Sequence, residues 1–284
     1  MVVDASCDGL VVMGNRICNP TTHQWAPLSL KVQVRNLVGL FRHQPSGEYR
    51  VLFWRTSSHR HQYYCPNDYC VLAVGSDNDP RPVPSPPPVS GPISIDGPAV
   101  LLHGRVVELE LINAAGPTFI GAPLLLHGNM HLHWKRYREG RCHKILVFDT
   151  VAESFRHMRS PAVNPRHVMQ LFDMDGMLAA SCSKDTMMEM RIFALQDYES
   201  EVWSFQYRIK LPEVEIRCFQ ERGNWLAKVV SKEGDLLVSC FGWLLHCDRK
   251  GNLVAKFRYD DDLPMVILHV LKESLIQHTF FQKD

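Results

Sequence analysis

The chain has 284 residues, of which 45% are apolar, and its 31 basic side chains nearly balance its 30 acidic ones. This much apolar material is enough for one large folded core or two modest ones, so disorder throughout is excluded. A formal net charge of +1 provides no global field for holding a phosphate backbone, and the sequence contains no basic patch of any length. We therefore expect a folded protein that does not bind nucleic acid.

Nine cysteines lie at irregular intervals, an odd number in a chain too long to need disulfide bonds for its stability. Reduced thiols are expected, which favours a cytoplasmic or nuclear location. The chain starts without a basic leader and carries Asp4 where a signal peptide would be apolar, so secretion is not expected. The best membrane-span candidate, residues 263–271, has about half the length that a spanning helix needs, so no membrane association is expected.

Short apolar runs bounded by Gly, Pro, Asn or Asp indicate β-strands along most of the chain. Each run has about the length of a typical strand. Helical spacing is confined to residues 184–190 and 263–277. The chain is therefore predicted to be all-β, with clear strands at residues 9–12, 49–54, 69–74, 144–148, 177–181, 190–194, 202–209, 226–230, 236–240, 243–246 and 253–257.

Turn signals between these runs predict hairpins and hence a meandering antiparallel sheet. The pairs are Ser46-Gly47, Asp175-Gly176, Glu233-Gly234 and Lys250-Gly251. About twenty short strands need protected edges, which a large barrel, stacked sandwiches or a propeller of four-stranded blades would provide. We favour a β-propeller-like domain over residues 1–284, with about six blades at roughly 40 to 50 residues per blade.

Residues 76–98 interrupt the strand pattern with a high density of proline, including the run at residues 86–88. Proline lacks the amide donor of a β-ladder, so the segment is excluded from any central strand. We predict a flexible proline-rich insertion between blades. The alternative is a polyproline ligand for an aromatic groove on another protein.

Two clusters contain the residue types that bind zinc, since imidazole and thiolate are suitable ligands for that ion. The spacing of the first cluster differs from that of zinc fingers, and the second is typical of histidines on an ordinary strand. We therefore expect no bound metal and no cofactor. The clusters are His59, His61, Cys65 and Cys70, and His127, His131, His133, Cys142 and His143.

The motifs of nucleophilic catalysis and of phosphate binding are missing from the sequence. It contains no Gly-x-Ser-x-Gly elbow and no phosphate-cradling glycine loop. Carboxylates for glycoside chemistry at Asp173, Asp175 and residues 260–262 would need to converge in space, and we interpret them as turn residues. The expectation is a protein that is not an enzyme and has no catalytic residues.

Aromatic residues are the remaining candidates for binding. The six tryptophans at positions 25, 54, 134, 203, 225 and 243 lie in or beside strands, so we predict that they pack in the core. Tyr63, Tyr64 and Tyr137 lie in polar loops instead. Exposed tyrosines are frequent at binding hot spots, which makes these three the predicted partner-binding residues.

Several motifs, in their order along the chain, resemble the F-box-associated domain of plant F-box proteins, most closely the grass type. In that family the chain opens with S-C-[DN]-G-L, followed by a segment that reads N-P-x-T-x-x-W. Both are present here, at residues 6–10 and 19–25. Further matching segments are residues 47–52, 126–134, 145–150 with Phe155, and 203–205. Asn19 and Pro20 predict a turn that returns the chain toward Trp25, and the segment from Asp149 to Glu153 is expected at an exposed hairpin tip.

This resemblance implies a substrate-recognition module of a cullin-type ubiquitin ligase, in which a propeller-like domain captures a target protein. The helical F-box that would dock on the ligase adaptor is not seen ahead of Val2, and a proline-rich insertion replaces the usual continuation after Gly75. We therefore expect an unidentified target protein as partner, and an adaptor only if an F-box is supplied. A glycan-binding protein or a glycan-acting hydrolase on a propeller scaffold is the alternative.

Overall fold

The computed structural model describes residues 3–29, 31–34, 36–55, 68–85, 101–102, 105–106, 120–125, 131–135, 144–161, 168–174, 176–183, 189–215, 225–229, 231, 233–240, 243–258 and 273–281. Most of these residues lie in β-strands or in the turns that join them. Within these ranges, helical structure is limited to single turns at residues 213–215 and Thr279–Phe281, and no helix is long and apolar enough to cross a bilayer. The all-β prediction is confirmed.

The described strands form five four-stranded antiparallel sheets and one two-stranded hairpin. The first sheet contains β1 (Ala5–Cys7), β2 (Leu10–Met13), β3 (Arg16–Asn19) and β4 (Gln24–Pro27), and the second contains β5 (Leu37–Arg42), β6 (Tyr49–Arg55), β7 (Asp68–Ala73) and β8 (Arg81–Val83). The hairpin pairs β9 (Leu101–Leu102) with β10 (Arg105–Val106).

The third sheet contains β11 (Ile120–Leu125), β12 (His131–Lys135), β13 (Lys144–Asp149) and β14 (Ser154–Arg159). The fourth contains β15 (Val168–Met174), β16 (Met177–Ser183), β17 (Glu189–Asp197) and β18 (Val202–Lys210), and the fifth contains β19 (Trp225–Val229), β20 (Leu236–Cys240), β21 (Trp243–Cys247) and β22 (Leu253–Arg258). In every sheet consecutive strands are neighbours, which is the blade topology of the predicted β-propeller-like fold.

The chain divides into two compact units. The first comprises Met1–Leu125, Asn129–His157 and His269–Asp284, and the second comprises Leu126–Gly128 and Met158–Leu268. In the first unit one apolar cluster lies between the first and second sheets and another between the second and third. In the second unit a single cluster joins the fourth sheet to the fifth. Each core is therefore shared by two successive sheets.

A repeated turn joins the third strand to the fourth in three of the sheets. It begins with Asn19, Asp149 or Asp197, whose side-chain Oδ1 accepts hydrogen bonds from the amides two and three residues later, at 2.8 to 3.4 Å. The fifth residue has a positive φ in each copy, and an aromatic residue follows at the seventh position. The turn predicted at Asn19 and Pro20 is therefore confirmed as one copy of an internal repeat.

The turn at Asp149 differs from the exposed hairpin tip that the sequence suggested. Its fifth residue, Glu153, is only 5% exposed and lies against the second sheet. Arg50 of β6 donates to Glu153 Oε1 at 2.6 Å, and Arg81 of β8 pairs with Oε2. A carboxylate so far from solvent requires such cationic partners, because an unpaired buried charge is strongly destabilising.

The proline-rich segment at residues 76–98 begins with an irregular stretch at residues 76–80 and then contains the strand β8. Pro82 lies opposite Cys70, at the outer edge of the second sheet, where no further strand needs its missing amide hydrogen. The exclusion of proline from a central strand therefore holds, although the segment contributes an edge strand. Residues 86–98 lie outside the described residues.

The end of the chain packs on the first unit as an irregular segment, residues 273–281, and not as the end of the helix that the apolar spacing suggested. The fully buried Asn19 donates from Nδ2 to the carbonyl of Ser274 at 2.8 Å. His278 stacks on Phe280 with ring centroids 5.1 Å apart and meets the edge of Tyr49 at the same distance. Phe280 packs against the core between the first two sheets, so this segment completes that core.

Two turn glycines allow the effect of backbone strain to be measured separately from the effect of a steric clash. Gly176 and Gly251 both have φ above +80°, but a Cβ on Gly176 would meet open space, whereas a Cβ on Gly251 would overlap the carbonyl of Lys210. We expect Gly176→Ala to cost about 1 kcal/mol through strain alone and Gly251→Ala about 3 kcal/mol. Urea unfolding of both variants measures the difference, and equal losses would contradict it.

His278 predicts a loss of stability in mild acid. Burial lowers its pKa, with a further contribution from Arg42 that Asp8 partly offsets. Because the folded pKa lies below the unfolded value of about 6.5, protonation favours unfolding, and the stability it contributes is lost as the pH falls below that value. We expect His278→Phe to reduce the slope of the urea midpoint between pH 7.5 and 5. The slope that persists is assigned to His43, whose pKa burial also lowers; an unchanged slope would contradict the role of His278.

Candidate functional site

The candidate site lies on the fourth sheet, on the face opposite its core. Alternate residues of β17 and β18 point to opposite faces. Met190, Ile192 and Ile209 are buried in the core of the second unit, so their sequence neighbours lie on the other face. The side chains of that second face form what we name the β17–β18 surface: Glu189, Arg191, Phe193, Phe205, Arg208 and Lys210.

An aromatic pair occupies the middle of the β17–β18 surface. Phe193 and Phe205 lie opposite each other on neighbouring strands, with ring centroids 5.8 Å apart in an edge-to-face arrangement. Phe205 is nevertheless 55% exposed. An aromatic ring that is fixed by a neighbour but half open to solvent can bury a large apolar area when a partner arrives.

Charged side chains flank the aromatic pair along the same two strands. Arg191 lies directly opposite Arg208, and Glu189 lies opposite Lys210. The Glu189 carboxylate accepts from Arg191 Nε at 3.3 Å and pairs with Arg208 at 3.7 Å, so it partly neutralises both guanidiniums. Like charges directly opposite each other destabilise an antiparallel pair. The surface therefore retains a basic character that sheet stability does not explain.

The outer edge of β18 is shaped against strand pairing. β18 is the last strand of its sheet, and its register with β17 shifts at two places, one of them at Gln206. Bulges of this kind twist an edge and interrupt its row of hydrogen-bonding groups. This edge is therefore poorly suited to the addition of a further strand.

A hydrogen-bonded group at the β5–β6 turn combines a serine with a histidine. The Ser46 hydroxyl donates to Glu48 at 2.8 Å, so His43 Nδ1, also at 2.8 Å, must donate to the serine oxygen. Arg50 holds the carboxylate from the other side at 2.8 Å, and these bonds lower the pKa of Glu48. A nucleophilic serine needs the opposite direction, with its proton passing to the histidine. This group stabilises the turn.

The predicted partner-binding residues, and most residues of the two clusters considered as metal ligands, lie outside the described part of the chain. They are Tyr63, Tyr64, Tyr137, His59, His61, Cys65, His127, Cys142 and His143. Cys70 is buried in the second sheet, where Arg55 contacts its sulfur at 3.2 Å. His131 and His133 occupy alternate positions of β12, as predicted, opposite Asp149 and Val147. Among the residues that the structure describes, no three potential ligands form a metal-binding group.

The prediction that all six tryptophans pack in the core is wrong for Trp25. Its side chain is 60% exposed, with the Arg16 guanidinium 4.5 Å from the ring centroid. Trp54 and Trp243 pack against the cores at their edges, and Trp203 donates from Nε1 to the carbonyl of Arg159 at 2.9 Å. The carboxylate of Asp173 accepts from the amide of Gly176 at 2.6 Å, so its interpretation as a turn residue is correct.

Sequence reasoning did not find the β17–β18 surface. Residues 202–209 were recognised as a strand, but alternation alone does not tell which face of a strand is covered. The signal that was available is the alternation of Glu189, Arg191 and Phe193 against the buried Met190 and Ile192. Together with the paired strand β18, this alternation indicates that one face of the sheet is both charged and aromatic.

No protein-family model matches the chain, and no curated protein matches it. Among solved structures, a prolyl endopeptidase is 12% identical over 88% of this chain and 32% of that one, with a TM-score of 0.43. A gluconolactonase from Xanthomonas campestris is 13% identical over 88% and 72%, with a TM-score of 0.35. The Dos1 propeller is 9% identical over 89% and 56%, with a TM-score of 0.36. The chain thus spans about a third of the prolyl endopeptidase, and these likenesses concern the fold alone.

These comparisons correct the expectation that the chain is not an enzyme. Two of the similar structures, the prolyl endopeptidase and the gluconolactonase, are enzymes. A fold supports many unrelated functions, and this one therefore gives no ground for excluding catalysis. The fold is equally consistent with a protein-binding scaffold.

The shared carboxylate of Glu189 leads to a prediction about salt. Glu189→Gln leaves Arg191 and Arg208 facing each other without a counter-charge, so we expect a loss of about 0.5 kcal/mol at low ionic strength. High salt screens the repulsion and should abolish the difference from the unmodified chain. Urea midpoints in 20 mM and 500 mM NaCl test this, with Glu199→Gln, at an exposed turn position, as the control. A loss that is independent of salt would show that packing, not charge, is responsible.

Proposed function

We propose that the chain is a protein-binding module of the F-box-associated type, which captures a target protein in the cytoplasm or nucleus. The observation that carries the proposal is the β17–β18 surface, where a partly exposed phenylalanine pair lies beside a pair of arginines on the same face of the sheet. Aromatic residues and arginine are the side chains enriched at the centres of protein interfaces.

The position of the resembling motifs supports this proposal. Residues 19–25, which carry the N-P-x-T-x-x-W pattern, form the first copy of the repeated turn and anchor the end of the chain. Residues 203–205, another resembling segment, lie on β18 and contribute Phe205 to the surface. Residues 19–25 thus help to form the scaffold, and residues 203–205 lie on the surface where we propose that a partner binds.

Capture and delivery are separate steps in this proposal. The module recognises the target, and transfer of ubiquitin depends on an adaptor that is recruited through an F-box. An F-box supplied in the same polypeptide would turn capture into delivery. Supplying that element therefore provides a functional readout without changing the recognition surface.

Proximity labelling in plant cells tests the proposal, using the full chain with and without a grafted F-box. We expect both forms to label the same proteins, and the grafted form to recover a ligase adaptor and shorten the half-life of those targets. The paired substitution Phe205→Ser with Arg208→Glu should reduce target labelling by about tenfold, as loss of a central anchor does.

The matched control is Val254→Ser with Lys250→Glu, which changes an exposed apolar residue of β22 and an exposed basic residue of the turn before it. It should retain the labelling of the unmodified chain. Equal thermal stability of the two paired variants ensures that folding does not explain the difference. Labelling that is unaffected by the β17–β18 substitutions would overturn the proposal, as would targets recognised through a glycan.

A further inference from the structure

We infer that the β17–β18 surface binds an extended acidic segment of the partner, in which an acidic residue and an apolar or aromatic residue are separated by one position. This inference rests on the proposed protein-binding function and specifies the chemistry of the target. It follows from the charge of the surface, from the distance between its arginine pair and its phenylalanine pair, and from the bulge at the edge of β18.

The charge of the β17–β18 surface favours the binding of a carboxylate from another molecule. Among the residues of this surface that the structure describes, Arg191, Arg208 and Lys210 supply three cations against the one carboxylate of Glu189. Each guanidinium has five N–H donors, so one carboxylate cannot satisfy two of them. An added carboxylate would form charge-assisted hydrogen bonds and reduce the repulsion between the two arginines.

The spacing of the surface matches an extended peptide. The row of Arg191 and Arg208 lies two residues along β17 from the row of Phe193 and Phe205. Two residues of a strand span about 7 Å, which is also the distance between side chains i and i+2 of an extended partner. A carboxylate over the arginines therefore places the second side chain over the exposed ring of Phe205.

The sheet holds these groups in place before binding. The residues that alternate with them, Met190, Ile192 and Ile209, are at most 1% exposed, so the backbone that carries the surface is fixed by the core. A preorganised surface loses little conformational entropy when a partner binds. Because the bulge disfavours pairing of a further strand with the edge of β18, the peptide is expected to lie on the face of the sheet and to run along β17 and β18.

Selection of peptides tests this inference directly. A phage library of random twelve-residue peptides is panned against the full chain in 50 mM and 300 mM NaCl. We expect enrichment of peptides with the pattern Asp or Glu, any residue, then Phe, Trp, Tyr or Leu, in either direction. Synthetic versions should bind about tenfold more weakly at the higher salt, because the contacts are between charges.

Variants separate the two halves of the pattern. Arg191→Gln with Arg208→Gln should remove the preference for acidic residues, and Phe205→Ser the preference for the apolar one. The paired control Val254→Ser with Lys250→Glu should select the same peptides as the unmodified chain. Selected peptides without acidic residues, no enrichment at all, or unchanged selection by the double glutamine variant would each overturn the inference.

A different class of ligand is a further outcome of the same experiment. Basic and aromatic side chains also bind single-stranded nucleic acid, so a labelled twelve-nucleotide oligo(dT) is titrated in parallel. Binding of oligo(dT) that the Phe205→Ser variant loses, without acidic peptides, would replace the inference. If the labelled cellular targets depend on Phe205 but the selected peptides are not acidic, the inference fails and the proposed function stands.

Discussion

The fold depends on one recurring interaction, in which an asparagine or aspartate side chain accepts two backbone amides at the turn between the third and fourth strands. The bonds at Asn19, Asp149 and Asp197 replace the ladder partners that the chain loses when it leaves the sheet. They also lower the pKa of the Asp197 carboxyl, chiefly through the Ser200 hydroxyl and amide. The Asp197 carboxylate therefore stays ionised, and accepts these bonds, to a lower pH than an aspartate without them.

The residue in the left-handed conformation gives this turn a second role. Glu153 pairs with Arg50 and Arg81 of the second sheet, and Glu201 accepts from the amide and side chain of Arg159 at the end of β14. The turn of the fifth sheet begins with Asp248, and its residue with a positive φ is the fourth rather than the fifth. This residue, Gly251, lies against the carbonyl of Lys210 at the end of β18. Glu153 thus links its turn to the second sheet within the first unit, and Gly251 lies against the end of the fourth sheet within the second unit, so in each unit a turn contributes to the packing of neighbouring sheets.

At the first sheet, the turn contacts the C-terminal segment, residues 273–281, instead of another sheet. Asn19, which starts the first of these turns, donates to the carbonyl of Ser274, and Thr21 accepts from the Ser274 amide at 3.4 Å. The first turn therefore joins residues that are 255 positions apart in the chain. Since Phe280 then packs into the core between the first two sheets, the stability of this core depends on a segment that is distant from both sheets in the chain.

Local patterns in the sequence located about half of the described strands and several of the hairpin turns. Residues 236–240 coincide with β20, and Gly176 and Gly251 have the positive φ that a hairpin glycine provides. What the sequence could not predict are contacts between distant residues. Glu153 was expected at an exposed tip because its neighbours are those of a turn, and its burial depends on Arg50, 103 positions away. The exposure of Trp25 likewise depends on what covers its strand, which no local pattern contains.

The candidate surface was missed for the same reason, and its chemistry indicates why it is there. A sheet that is optimised for stability alone would place opposite charges across β17 and β18, since opposite charges stabilise a cross-strand pair. Here Arg191 faces Arg208 and one carboxylate is shared between them. A partner carboxylate would relieve a repulsion that the free protein already contains, so part of the binding free energy comes from the destabilised free state. The core on the other face of the sheet fixes the backbone of both strands, so the two arginines stay paired across them, and their exposed guanidiniums can separate only by rotation of the side chains.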